Sequence, residues 1–173
     1  NFNTIVLTKS FGYNLLKGNN ELKKTEGSAE FIENNYNSKK FKILTDNNYE
    51  IKLDNTYKDI AIKIIAANPI EYLVLYFKKI FSFLFISLDS TYKGYYNFFH
   101  IFPKIIMSLL SFIGGIVSLK KKGFFQFVAI YYFLNACLFS VFFILPRYSL
   151  MFLPVKILLS LEVLKYLKRK FIN

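Results

Sequence analysis

The stretch "FFQFVAIYYFLNACLFSVFFIL", residues 124–145, carries no charged side chain over 22 positions. It is flanked by "KKKG" at 120–123 and "PRY" at 146–148. A run this long and apolar matches the length of about 20 residues that a helix needs to cross a bilayer. Its neighbours repeat the pattern. Residues 105–119, "IIMSLLSFIGGIVSL", are uncharged, and extension back to Phe98 gives a second spanning length. Residues 149–167 form a third, weaker span, interrupted by Pro154, Lys156 and Glu162 and closed by "KRK" at 168–170. One buried helix of a soluble protein could explain one such run, but not two joined by a short basic loop. The expectation is a mainly α integral membrane protein with transmembrane helices near 98–119, 124–145 and 149–167.

Charge supports that division. The chain has 173 residues, 54% hydrophobic, with a formal net charge of +12. Residues 1–97 hold 13 Lys and 10 acids, whereas residues 98–173 hold 10 basic residues and a single acid. Basic residues gathered at the ends of apolar runs follow the positive-inside pattern. The loop at 118–123 and the tail at 165–170 are separated by two crossings, so both are expected in the cytoplasm. Residues 1–97 and Arg147 then fall outside a cell (inner) membrane. Lysines that flank apolar runs rather than lining a polar face argue against nucleic acid as a partner.

The outer segment, 1–68, reads as α with a short β piece. Residues 3–8 suit a strand. Gly12 and "KGNN" at 17–20 mark turns around a short apolar piece, and 19–56 reads as loop with a short helix near 28–34. From Tyr57 the apolar positions Ile60, Ala61, Ile64 and Ile65 fall on one helical face. Asn68-Pro69-Ile70-Glu71 reads as a new helix start with a capping box. The helix that follows is apolar and aromatic but carries Lys78 and Lys79 near its middle. Two lysines at a bilayer midplane would be costly, so 69–97 is expected as an interfacial amphipathic helix and its connection, with both lysines snorkelling to lipid phosphates. A fourth span at 70–88 is the alternative, and it would reverse the side on which 1–70 lies.

No catalytic constellation stands out. Cys137 is single and within a span, which excludes disulfides and thiolate metal sites. His100 is alone at the outer end of a span and reads as interfacial. The acids of 1–59 (among them Glu26 and Asp54) show no pairing that asks for acid–base work and are expected on a solvated surface. Gly114-Gly115 suits close helix packing. Neither a metal site nor a bound cofactor is expected. Two cations remain. Arg147 sits at the outer mouth of the last span, with a planar fork suited to phosphate. Lys156 lies two turns deeper, where an ionisable group is a functional candidate by default.

The order of segments carries a resemblance. "FGYNLLKGNN" (11–20), "AIKIIAANP" (61–69), the "KK" helix, two apolar spans and "RYSLMFLP" (147–154) resemble the C-terminal region of bacterial GT-C glycosyltransferases. These are the polytopic relatives of dolichyl-phosphate-mannose–protein mannosyltransferases and of the aminoarabinose transferase. Gly12, Asn14, Leu15, Gly18 and Asn19 match that group's G-x-N-L-x-x-G-N turn, and Arg147, Tyr148 and Pro154 match its RY-x-x-P-x-x-P motif. Glu21 and Met151 stand where the group has proline. The resemblance implies the C-terminal part of an enzyme that moves a sugar from a polyprenyl-phosphate donor to an extracytoplasmic acceptor. Its partners would be membrane lipids, that donor and an N-terminal membrane module bearing the catalytic carboxylate. Arg147, Tyr148 and Lys156 would then contact the lipid phosphate, and this chain would have no catalytic residue and no activity alone. A multi-pass transport or assembly subunit with an extracytoplasmic cap is the alternative reading of the same spans.

Overall fold

A computed structural model describes residues 10–36 and 49–172, with side chains up to Lys168. Among these residues there are eight helices and no strand: α1 (Phe11–Gly18), α2 (Ala29–Asn35), α3 (Tyr49–Ala67), α4 (Pro69–Leu84), α5 (Phe98–Leu119), α6 (Phe124–Ser140), α7 (Pro146–Met151) and α8 (Leu153–Ile172). The chain is mainly α, as its periodicity implies. The strand expected at 3–8 lies outside the described residues.

The longest apolar helix, α5, starts where the Asn97 side chain accepts a hydrogen bond from the Phe99 amide. Its 22 residues rise about 33 Å, so it is long and apolar enough to cross a membrane. It packs against α8 through a stripe of buried small residues, Ser108, Ser111, Gly114, Gly115 and Ser118. A Cβ on Gly114 would lie 1.9 Å from the Leu159 carbonyl oxygen, so the two backbones touch. Contacts advance in the same direction along both helices. Met107 meets Ser160 and Ser108 meets Lys156 at one level, whereas Lys121 pairs with Glu162 at the far end. Helices α5 and α8 therefore run parallel. Helix α6 runs back alongside them, with Phe133 against Phe112 and Phe125 under Lys165.

Small residues line the α5–α8 seam, whereas many large apolar side chains face outward. Phe127, Leu134 and Leu138 on α6 are more than half exposed, and Ile106, Leu109, Ile113 and Ile116 line the outer face of α5. The enclosed core centres on Phe83, whose ring contacts Tyr132, Phe139 and Phe152. Helix α4 thus drives its C-terminal end into the bundle, meeting α3 at a bend of 107°.

A second, smaller core joins α1, α2 and α3 through Leu15, Leu16, Ile32, Tyr57 and Ala61. The expected helix near 28–34 is α2, capped by the Ser28 hydroxyl on the Phe31 amide. Four other expectations are corrected. The glycine-marked piece at 12–18 is a helix, because Asp54 of α3 accepts from the Gly12 and Tyr13 amides and caps it from across the fold. Helix α3 begins at Tyr49, eight residues before its apolar periodicity becomes visible. The Asn68 side chain makes no cap hydrogen bond at the start of α4, although Pro69 occupies the first turn. The second and third apolar runs are also broken. Helix α6 ends at Ser140, and the third run divides into α7 and α8 at Phe152.

The break after α6 has a physical cause. Pro146 disfavours helix at Leu145, which is extended (φ −93°, ψ 145°). The backbone groups freed between them find tertiary partners. Asn19 donates to the Val141 carbonyl (2.8 Å), Lys79 to the Phe142 carbonyl (2.6 Å), and the Ile144 amide to Thr25 (2.9 Å). The Gly18 Cα lies so close to Phe142 that a Cβ would fall 1.7 Å from its carbonyl oxygen.

Candidate functional site

The bend at 141–152 opens a cleft of about 550 Å³ between the first half of α5, the turn before it, and α7–α8. That volume suits a small ligand or a lipid headgroup. Among the described residues, four basic side chains line it, Lys93, Lys104, Arg147 and Lys156, together with His100, and no carboxylate does. Its apolar wall comes from Pro103, Met107, Leu150 and Leu153. Leu150 is 67% exposed at the rim.

Each cation is placed differently. Lys156 is 2% exposed on the floor. Its ammonium donates to Ser149 Oγ (2.9 Å), Ser108 Oγ (3.3 Å) and the Leu84 carbonyl (3.4 Å), so it also sits at the C-terminal end of α4. A cation there is favoured by the exposed carbonyls of the last helical turn. Lys104, half-buried on the side wall, donates to the Tyr95 hydroxyl (2.9 Å). Arg147 and Lys93 are exposed at the mouth, within reach of an incoming anion. Serines on the floor and an excess of cations along the lining give the cleft the chemistry of an anion site.

The wall at 87–97 is fastened to residues 25–26 by two carboxylates. Asp89 accepts from the Thr25 amide (3.0 Å), the Thr25 hydroxyl and the Ser87 hydroxyl. Burial alone would raise the Asp89 pKa, but these hydrogen bonds outweigh it and hold the carboxyl below its ordinary value. Glu26 accepts from the Thr91 amide (3.1 Å) and hydroxyl (2.9 Å). Glu26 is 5% exposed. The expectation of a solvated surface is therefore corrected for Glu26, which holds the wall, and for Asp54, which caps α1.

Arg147 and Lys156 share this cleft, as their order along the chain suggested. Tyr148 does not line it. One residue on from Arg147, its ring turns away onto Phe139 (5.4 Å) and Phe143 (6.2 Å). Lys78 is exposed on α4, consistent with an interfacial side chain. Lys79 does not snorkel. It is fully buried, donating to Asn19 Oδ1 (2.9 Å) and the Phe142 carbonyl. Burial pushes its amine down to about 7. Its neighbour on the helix points about 100° away, which is why adjacent lysines part company.

The residues Gly12, Gly18 and Asn19 prove structural, since each seats α1 against α3 or against 141–142. This places the "GYNLLKGN" segment against residues 141–143, a few positions before "PRY". Lys17 even lies over the Phe143 ring at 4.3 Å. Lys104, Lys93 and Tyr95 escaped the sequence reading. Lys104 carried a signal, being the lone cation within 98–119. Lys93 and Tyr95 carried none, because their approach to Lys156 depends on the return of the chain after α4.

No protein-family model, curated protein or solved structure matches this chain.

Proposed function

We propose that this chain is the C-terminal, lipid-phosphate-binding part of an integral-membrane glycosyltransferase that uses a polyprenyl-phosphate sugar donor. In this reading α5, α6 and the broken α7–α8 unit cross the membrane, α4 lies at its outer surface with its end tucked into the bundle, and the cleft faces outward. The observation that carries the reading is the cleft itself. Four basic side chains, from floor to mouth, and no carboxylate among the described residues line a cleft in an apolar bundle that turns many large side chains outward. A phosphate on a hydrocarbon chain satisfies both features, whereas a soluble anion satisfies only the first.

Chemically, the bond from the sugar's anomeric carbon to the phosphate oxygen breaks, and a bond from the acceptor hydroxyl oxygen to that carbon forms. The electron pair leaves with the phosphate, and the acceptor's proton passes to a base outside the described residues. The work of this chain is to hold the leaving phosphate. Arg147 offers a bidentate fork at the mouth, and Lys156 and Lys104 supply fixed positive charge where negative charge develops.

The test is sugar transfer from a polyprenyl-phosphate donor in membranes bearing the intact enzyme of which this chain is the proposed C-terminal part, normalised to inserted protein. A charge-assisted hydrogen bond is worth about 1.5–3 kcal/mol, so Arg147→Ala should lower transfer tenfold or more. Arg147→Lys should restore it in part, because charge returns without the fork. Equal transfer by wild type and Arg147→Ala would remove the assignment. Donor binding without any transfer would favour the non-enzymatic membrane subunit.

A further inference from the structure

We propose that Tyr95 and Lys104 form a hydrogen-bond donor pair that reads the anionic oxygens of a phosphate headgroup bound in this cleft. The inference rests on the reading of the cleft as a phosphate site and names residues that neither the spacing of motifs nor the resemblance points to.

A tyrosine hydroxyl has two lone pairs and one hydrogen. At Tyr95 both lone pairs are engaged, by the Ser87 amide (2.9 Å) and by the Lys104 ammonium (2.9 Å). The side chain is 4% exposed, and its hydroxyl donates to no acceptor among the described residues. A buried O–H without an acceptor costs free energy that a ligand oxygen would recover. Tyr95 and Lys104 both line the cleft, whose lining among the described residues holds no carboxylate to take that hydrogen. Burial pushes the phenol's pKa up, so the group remains an O–H donor at neutral pH.

The pair is also held in place. The Tyr96 hydroxyl brackets the same turn by accepting from the Ser90 amide (2.8 Å) and donating to the Ser87 carbonyl (3.3 Å). Behind the wall, Glu26 Oε1 is buried and unpartnered, and its charge acts through space on both Tyr95 and Lys104. Burial is the larger influence on both groups, and Glu26 is a lesser one that acts without lining the cleft. A fixed neutral donor beside a fixed cation discriminates a phosphate oxygen from an uncharged headgroup better than mobile rim cations do.

The experiment reconstitutes the full chain in phosphatidylcholine nanodiscs and measures binding of polyprenyl phosphate, of the matching polyprenol, and of inorganic phosphate. Tyr95→Phe should weaken polyprenyl phosphate roughly tenfold while leaving polyprenol binding unchanged. Lys104→Met should weaken it at least as much, and the double variant should fall short of the product of the two losses, because they act as a unit. Inorganic phosphate should lose affinity in the same variants if the pair reads the headgroup rather than the chain. Thermal unfolding confirms folding, and Lys104→Met carries the test alone should Tyr95→Phe fail to fold. If Arg147→Ala loses binding and Tyr95→Phe does not, the pair is rejected while the phosphate reading stands. If wild type binds polyprenol as tightly as its phosphate, both are rejected.

Discussion

At the scale of single residues, Lys79 shows how a charged side chain can serve as a rivet. It ties the Asn19 side-chain amide, at the end of α1, to the Phe142 carbonyl in the break after α6. Lys79→Met keeps the volume but leaves both acceptors buried and unpaired, which costs about 1–3 kcal/mol per group. The same residue predicts a pH dependence. Its folded pKa of about 7 lies below the ordinary lysine value of about 10.4, so between these limits the unfolded chain binds more protons. Stability should therefore rise as pH increases from 7 toward 10. Unfolding temperature in detergent, compared at pH 6.5 and 9, should increase for wild type and stay flatter for Lys79→Met. A wild type that is less stable at pH 9, with Lys79→Met unchanged, would contradict this.

At the scale of elements, the parallel pair α5 and α8 depends on the absence of side chains at its seam. A methyl group on Gly114 meets backbone, the Leu159 carbonyl at 1.9 Å, which cannot turn aside. At Gly115 the nearest atoms are the Phe133 ring edge at 2.8 Å, a side chain with rotamer freedom. Gly114→Ala should therefore destabilise by roughly 1–3 kcal/mol, the usual cost of overpacking, and Gly115→Ala by less. Thermal unfolding of both variants decides this, and the reverse order would mean that the seam lies elsewhere. The small-residue stripe was legible in the sequence because Gly114-Gly115 interrupts an otherwise bulky run. The split of α7 from α8, and the early end of α6, were not. Pro146 and Pro154 mark where a helix weakens, but Asn19, Lys79 and Thr25 decide where it stops by taking up the freed backbone groups.

At the scale of the whole molecule, the cleft and residues 120–122 occupy opposite ends of the α5–α8 pair, since Lys156 meets Ser108 and Glu162 meets Lys121. With the cleft outward, Lys93→Cys in a Cys137→Ser background should react with a membrane-impermeant maleimide added to intact cells. Lys122→Cys should react only after permeabilisation. Labelling of position 122 from outside would reverse the topology. The sequence by itself determined the helical class, the apolar character of the last three runs and the two cations Arg147 and Lys156, because composition and local periodicity act over a few turns. Only the tertiary structure decided that Lys79 is buried and Lys78 is not, that Tyr148 turns from the site, and that Tyr95 and Lys104 enter it. Those outcomes depend on which distant carbonyls and carboxylates come within about 3 Å of a side chain. In this protein the return of the chain between α4 and α5 sets those distances.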